Sequence, residues 1–225
     1  MQLFGIDVGI DRTIVERALP KGFAARHAED ISLISRSIID VARPEAIYVA
    51  CGVGDGGGTG VKLQKVGFDG PLIRFCLSGA PVAFPFLLTL GHEVDEIIRT
   101  QSKPSSMFVA DLLANALLIS VDRSLELHIA RTYGFGNVAK VTPGSVPLWP
   151  IEAQKQLFEV LSAAGELPVT LSNALIMDPL KSLSGIYFPS SSSFCSCMLC
   201  NRQECIGRRH PYDPQLADRI GAGDI

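Results

Sequence analysis

From Met107 to Tyr133 the chain runs without a glycine or proline, and apolar side chains recur through the stretch at helical spacing. Ser105 and Ser106 stand in front as capping residues and Gly134 stands behind as a stop, so this stretch is expected to form one helix. A helix of that length is unusual in a globular protein and sets the dimension along which the remaining elements must pack. Asp111, Asn115, Asp122 and Glu126 fall at i, i+4, i+11 and i+15, within about 60° of one another at the helical period. Such a face is either a solvated stripe or, toward its C-terminal end, the lining of a pocket for a cationic or hydroxylated ligand.

Around this helix the apolar pattern predicts smaller elements. Ile31 to Val41 reads as a helix stopped by Pro44, and Ala46 to Val53 as a strand rich in β-branched residues. The glycine-rich stretch Gly52 to Gly60 does not match a phosphate-binding loop, because Lys62 lies between Val61 and Leu63, so a hairpin or surface loop is expected. Leu72 to Leu77 reads as a buried strand, Phe84 to Leu90 as an apolar strand or helix lead-in, and Gly91 to Arg99 as a short amphipathic helix. His92 there is expected to be structural, and Cys51 and Cys76 to be inert buried residues.

From Gly134 to Pro150 six glycines and prolines fall in seventeen residues, an ordered loop or strand-and-turn segment. Pro150 suits the first position of a helix that Gly165 ends. Val169 to Met177 reads as an extended segment with a turn, Leu183 to Phe188 as a strand, and the tail from Pro189 as loop. Strands and helices do not alternate as in a doubly wound sheet. The expected class is therefore α+β, a largely antiparallel sheet with flanking helices. Three regions are expected: 1–134 with the long helix, 135–189 as the core segment, and 190–225 as the cysteine-containing tail.

Composition narrows the function classes. The chain is 47% hydrophobic over 225 residues, enough for a real core, and its net charge of −3 argues against general nucleic-acid binding. No secretory signal is visible, and the apolar stretches 79–90 and 107–121 are shorter than a bilayer span of roughly 20 residues. A cytoplasmic protein without membrane association is expected.

Two blocks carry a resemblance. Lys140-Val141-Thr142-Pro143-Gly144, followed by Trp149 to Phe158, resembles the ligand loop and next helix of the cobalamin-dependent methionine synthase activation domain family. Leu171 to Met177 and Ser182-Leu183-Ser184-Gly185-Ile186-Tyr187-Phe188 resemble that family's L-T-E-S-x-x-M and S-V-S-G-x-Y-F segments at matching separation. More loosely, Thr89 to Asp95 and the long helix are similar to stand-alone relatives. The resemblance implies an activation-domain-like fold that binds S-adenosylmethionine and presents its methyl group to a corrinoid (cobalamin) held by a partner protein. Carried over by position, the ligand contacts fall on Lys140, Pro143, Gly144 and Ser145, on Glu126 in the long helix, and on Tyr187. A carboxylate would hold the ligand ammonium and a cation its carboxylate. The chain departs from the pattern at three positions: Lys140 stands for an arginine and loses its bidentate fork, Ser145 for a tyrosine, and Asn173 for a glutamate.

Four of the six cysteines, Cys195, Cys197, Cys200 and Cys205, form one run, and its C-x2-C-x4-C-x2-R part resembles a tail of stand-alone relatives. Thiolates at this spacing can converge on one metal ion or cluster, and the spacing does not separate zinc from an iron–sulfur cluster. Arg202, Arg208, Arg209 and His210 surround the run with positive charge, suited to thiolates or to docking. The expected function is an accessory protein that supports reductive remethylation of a partner's corrinoid, with an electron donor as a further partner, rather than a stand-alone enzyme. The alternative is a metal- or iron–sulfur-carrying binding module on the same fold that has lost S-adenosylmethionine. An independent methyltransferase is disfavoured, since no glycine-rich nucleotide motif follows a first strand and no catalytic base is evident.

Overall fold

The structure, a computed structural model, describes residues 2–4, 19, 22–58, 60–190, 194–203, 205 and 207–222. Thr59, the serine run beyond Ser190 and most of the Met1–Asp11 segment lie outside the described residues. In chain order the elements are β1 (Gln2–Phe4), the single turn α1 (Phe23–Arg26), α2 (Ala28–Val41), β2 (Glu45–Tyr48), β3 (Cys51–Asp55), β4 (Val61–Leu63), β5 (Val66–Phe68), α3 (Pro71–Leu77), β6 (Val82–Thr89), α4 (His92–Arg99), α5 (Pro104–Tyr133), β7 (Val138–Val141), α6 (Gln154–Ser162), β8 (Thr170–Leu171), β9 (Met177–Asp178), β10 (Ser182–Pro189) and α7 (Pro214–Ala222). Short 3-10 turns at Ile151–Ala153 and Ser196–Leu199 complete them.

Strand β6 is the middle of an antiparallel sheet. It pairs with β2 and β3 along one edge and with β10 along the other, and β10 in turn pairs with β7. Strands of the first and second expected regions thus share one sheet. Side chains of β6 alternate between two packed faces: Phe84, Phe86 and Leu88 meet α2, α4 and α5, while Ala83 and Leu87 face the opposite side with α3, α6 and α7. Both faces are covered, so the strand reads as a continuous apolar run rather than an alternation. The class expected from the sequence, α+β with a largely antiparallel sheet and flanking helices, is the one observed.

Several local expectations change. The single strand expected over 46–53 is two strands, β2 and β3, broken at Val49 and Ala50; Val49 still donates its N–H to the Pro85 carbonyl at 3.1 Å. Leu72 to Leu77 is helix α3 rather than a strand, because Gly70 bends the chain at φ 131° and Pro71 pre-sets the first helical position. The glycine-rich segment is the β3–β4 hairpin, with Gly57 and Gly58 at positive φ. Helix α5 begins three residues earlier than expected, with Pro104 in its first turn and Lys103 as cap, and ends on a left-handed Gly134. Its thirty residues are long and apolar enough to cross a membrane, contrary to the span estimate from the shorter apolar run. Eleven of them, from Val109 to Ile129, are buried, ten of them in the first core against the sheet and α2, which is the packing of a core helix. The tail, expected to be loop, contains α7: Asp213 accepts the Leu216 N–H at 3.0 Å, Pro214 opens the helix, and Leu216 and Ile220 enter the second core.

Candidate functional site

Strands β7 and β10 run side by side in a register that sets Lys140 directly opposite Tyr187. The Lys140 ammonium lies over the Tyr187 ring, 5.7 Å from its centroid, and the ring stacks on Phe86 at 4.5 Å. Above them α5 brings down Asp122, which is 6% exposed. One carboxylate oxygen of Asp122 pairs with the Lys140 ammonium and the other accepts the Tyr187 hydroxyl at 2.5 Å, while the Asp122 carbonyl also receives that hydroxyl at 2.9 Å. Burial and then the adjacent carboxylate push the Tyr187 phenol well above its ordinary range, so it acts here as a neutral O–H donor.

One turn further along α5, Glu126 forms a two-pronged ion pair with Arg209 of the tail at 2.7 and 3.0 Å. Asp111 and Asn115 share the Lys181 ammonium at 2.7 and 2.9 Å. The acidic face of the helix is thus a line of three internally paired stations rather than a solvated stripe.

Between α5, β7 and the tail lies a cavity of about 520 Å³, with Asp122 and Lys140 in its wall and Cys195, Cys197 and Arg208 opposite. Its size suits a small organic ligand. Of the residues expected to contact ligand, Lys140 lines this cavity, Tyr187 lies buried beneath it, and Glu126 borders a neighbouring cavity of about 410 Å³ with Arg209. Pro143, Gly144 and Ser145 form a tight turn that contributes Thr142 to the wall but does not itself line it. Gly144 has φ 75° and sits against Ile151, where an added Cβ would approach to 2.8 Å; Ser145 closes the turn by donating to the Thr142 carbonyl at 2.7 Å. Asn173 is exposed in the β8–β9 hairpin, and His92 faces Asp178 at the surface, 3.7 Å away.

The residue that sequence reasoning underweighted is Asp122. It shares a helix face with Glu126, so periodicity places both, but only tertiary packing decides which turn meets β7. Arg209 was visible as positive charge near the cysteines, with no signal of its partner.

Among the described residues, no three His, Cys, Asp or Glu side chains gather as a metal site. Cys195 and Cys197 are hydrogen-bonded to each other, Cys200 packs half-buried against the second core, and Cys205 is exposed. The four thiols expected to converge as zinc or iron–sulfur ligands therefore do not fit one ligand set in this arrangement. The hydrogen bond with Cys195, aided by the Arg209 N–H and the Arg208 charge, holds the Cys197 thiol low, while that bond and burial push Cys195 up. Arg208 fixes the loop by donating to the carbonyls of Cys197, Cys200, Arg202 and His210. Cys51 and Cys76 are buried, with Cys51 in β3 and Cys76 in helix α3.

No protein-family model matches the chain, and no curated protein matches it in sequence. Among solved structures it is similar to the crystal structure of the MetH reactivation domain bound to AdoHcy, with TM-score 0.65 at 15% identity, over 86% of this chain and 80% of that one. At that identity the likeness is one of fold.

Proposed function

We propose that this protein is an activation-type accessory protein that binds S-adenosylmethionine in the cavity between α5 and β7 and supports reductive remethylation of a corrinoid held by a cytoplasmic partner. The observation that carries this reading is the Asp122–Lys140 pair in the cavity wall. Its two charges complement the ammonium and carboxylate of an α-amino acid, and the fold is one whose solved relative holds AdoHcy. Binding would exchange the internal ion pair for two ligand ion pairs, with Tyr187 keeping Asp122 oriented. The turn Pro143–Ser145 would support the nucleoside side through Thr142. S-adenosylmethionine supplies the methyl group and an external donor the electron.

A second reading, a binding module on this fold that no longer takes S-adenosylmethionine, is favoured by one observation. Both charges that the resemblance assigns to the ligand, Lys140 and Glu126, already have internal partners in Asp122 and Arg209.

The test mixes the full chain with the corrinoid-binding region of a cobalamin-dependent methionine synthase, a one-electron reductant and S-adenosylmethionine, and follows the cobalt absorption. The expected result is a spectral change that requires both this protein and S-adenosylmethionine. An unchanged spectrum, with no co-migration of the two proteins, would contradict the accessory role.

A further inference from the structure

The two sulfurs at the start of the tail are placed for chemistry that the proposed function does not use. Cys195 and Cys197 flank Ser196 at the entry to a 3-10 turn, are hydrogen-bonded to each other, and both line the cavity of about 520 Å³. The Arg209 backbone N–H points at the Cys197 sulfur from 3.5 Å, and the Arg208 guanidinium, held by four backbone carbonyls, lies beside it. Cys195 accepts the Cys197 backbone N–H and feels the Arg209 charge, but its hydrogen bond with Cys197 and its burial keep its proton in place. Of the remaining cysteines, Cys51 and Cys76 are buried, Cys200 packs on the core, and Cys205 also lines this cavity but from an exposed position.

We propose that Cys195 and Cys197 form a thiol–disulfide exchange site on the cavity wall, with Cys197 as nucleophile, Cys195 as resolving thiol and a small anionic disulfide as substrate. The charge preference comes from Arg202 and Arg208 in the same wall. In the first step the Cys197 sulfur attacks one sulfur of the disulfide R–S–S–R; a Cys197–S–S–R bond forms, the R–S–S–R bond breaks, and R–S⁻ leaves. In the second, Cys195 loses its proton and attacks the Cys197 sulfur, forming Cys195–S–S–Cys197 and expelling the second R–S⁻. The protein is oxidised by two electrons and the substrate disulfide reduced to two thiols.

The test treats the reduced full chain with oxidised glutathione and, separately, with the uncharged disulfide of mercaptoethanol, then follows intact mass and maps the bond by proteolysis. The expected product is lighter than the reduced chain by two hydrogens, with the bond between Cys195 and Cys197, and it forms faster with the anionic disulfide. Cys195→Ser is expected to stop at a mixed disulfide on Cys197, and Cys197→Ser to react on the order of tenfold more slowly. Cys205→Ser, at an exposed position, is expected to react like the unaltered chain. A bond mapped to Cys205, equal rates in the Cys195→Ser and Cys197→Ser variants, faster reaction with the uncharged disulfide, or thiols that react only after a chelator is added would each overturn the proposal.

Discussion

Asp122 answers to two residues from two strands, and its neighbours are matched to it in charge and burial. Tyr187→Phe removes a buried hydroxyl that reaches both its carboxylate and its carbonyl, so a loss of about 2 kcal/mol is expected in urea unfolding. The tyrosines also set the alkaline limit. Tyr187 and Tyr48 both ionise later in the fold than in the unfolded chain, Tyr48 only at about 12, because burial disfavours the phenolate. Folding therefore binds these protons more tightly; the Tyr48 contribution is complete below pH 10 and is lost as pH rises from 10 through about 12, and the Tyr187 contribution falls in the same direction. Unfolding curves across that window should show falling stability in the unaltered chain and a shallower fall in Tyr48→Phe. At this scale the sequence pointed to Lys140 and Tyr187 through the blocks that carry the resemblance. It pointed to Glu126 on the long helix, whereas the carboxylate that meets Lys140 and Tyr187 is Asp122, because a one-turn difference along a helix face is settled by the strand it packs on.

Elements were legible where their signals are local. The long helix is announced by its period and by Gly134, and β10 by its apolar run. The strand expected at Leu72 to Leu77 fails because six consecutive apolar-rich residues carry no period, and only Gly70-Pro71 marks a helix start. Helix α7 was equally readable from Asp213-Pro214 and the Leu216, Ile220 spacing. Within β10, Gly185 is required by close approach: a Cβ there would stand 2.5 Å from the Val141 carbonyl and 2.9 Å from Phe86 and Thr142. Gly185→Ala is accordingly expected to cost about 2 kcal/mol of stability by overpacking, measured by denaturant titration. Because Val141 belongs to the strand that carries Lys140 and Thr142 directly follows it, the same change should also weaken ligand binding.

For the whole molecule, the tail matters as a wall of the cavity rather than as a separate unit. It is held at two points, by α7 in the second core and by the Arg209–Glu126 pair on α5. Arg209→Ala should leave global stability within about 1 kcal/mol, since the pair is partly solvated, yet speed proteolytic cleavage between residues 200 and 210 as the strap loosens. How the tail meets α5 was not legible from sequence, since an ion pair between residues 126 and 209 leaves no local trace. Whether the cavity takes the sulfonium S-adenosylmethionine and its thioether product is read by calorimetric titration of the full chain with S-adenosylmethionine and S-adenosylhomocysteine. Saturable binding of both at one site is expected, weakened by Lys140→Ala in a variant that remains folded. A folded protein that gives no heat with either ligand, or a Lys140→Ala variant that binds as tightly as the unaltered chain, would contradict it.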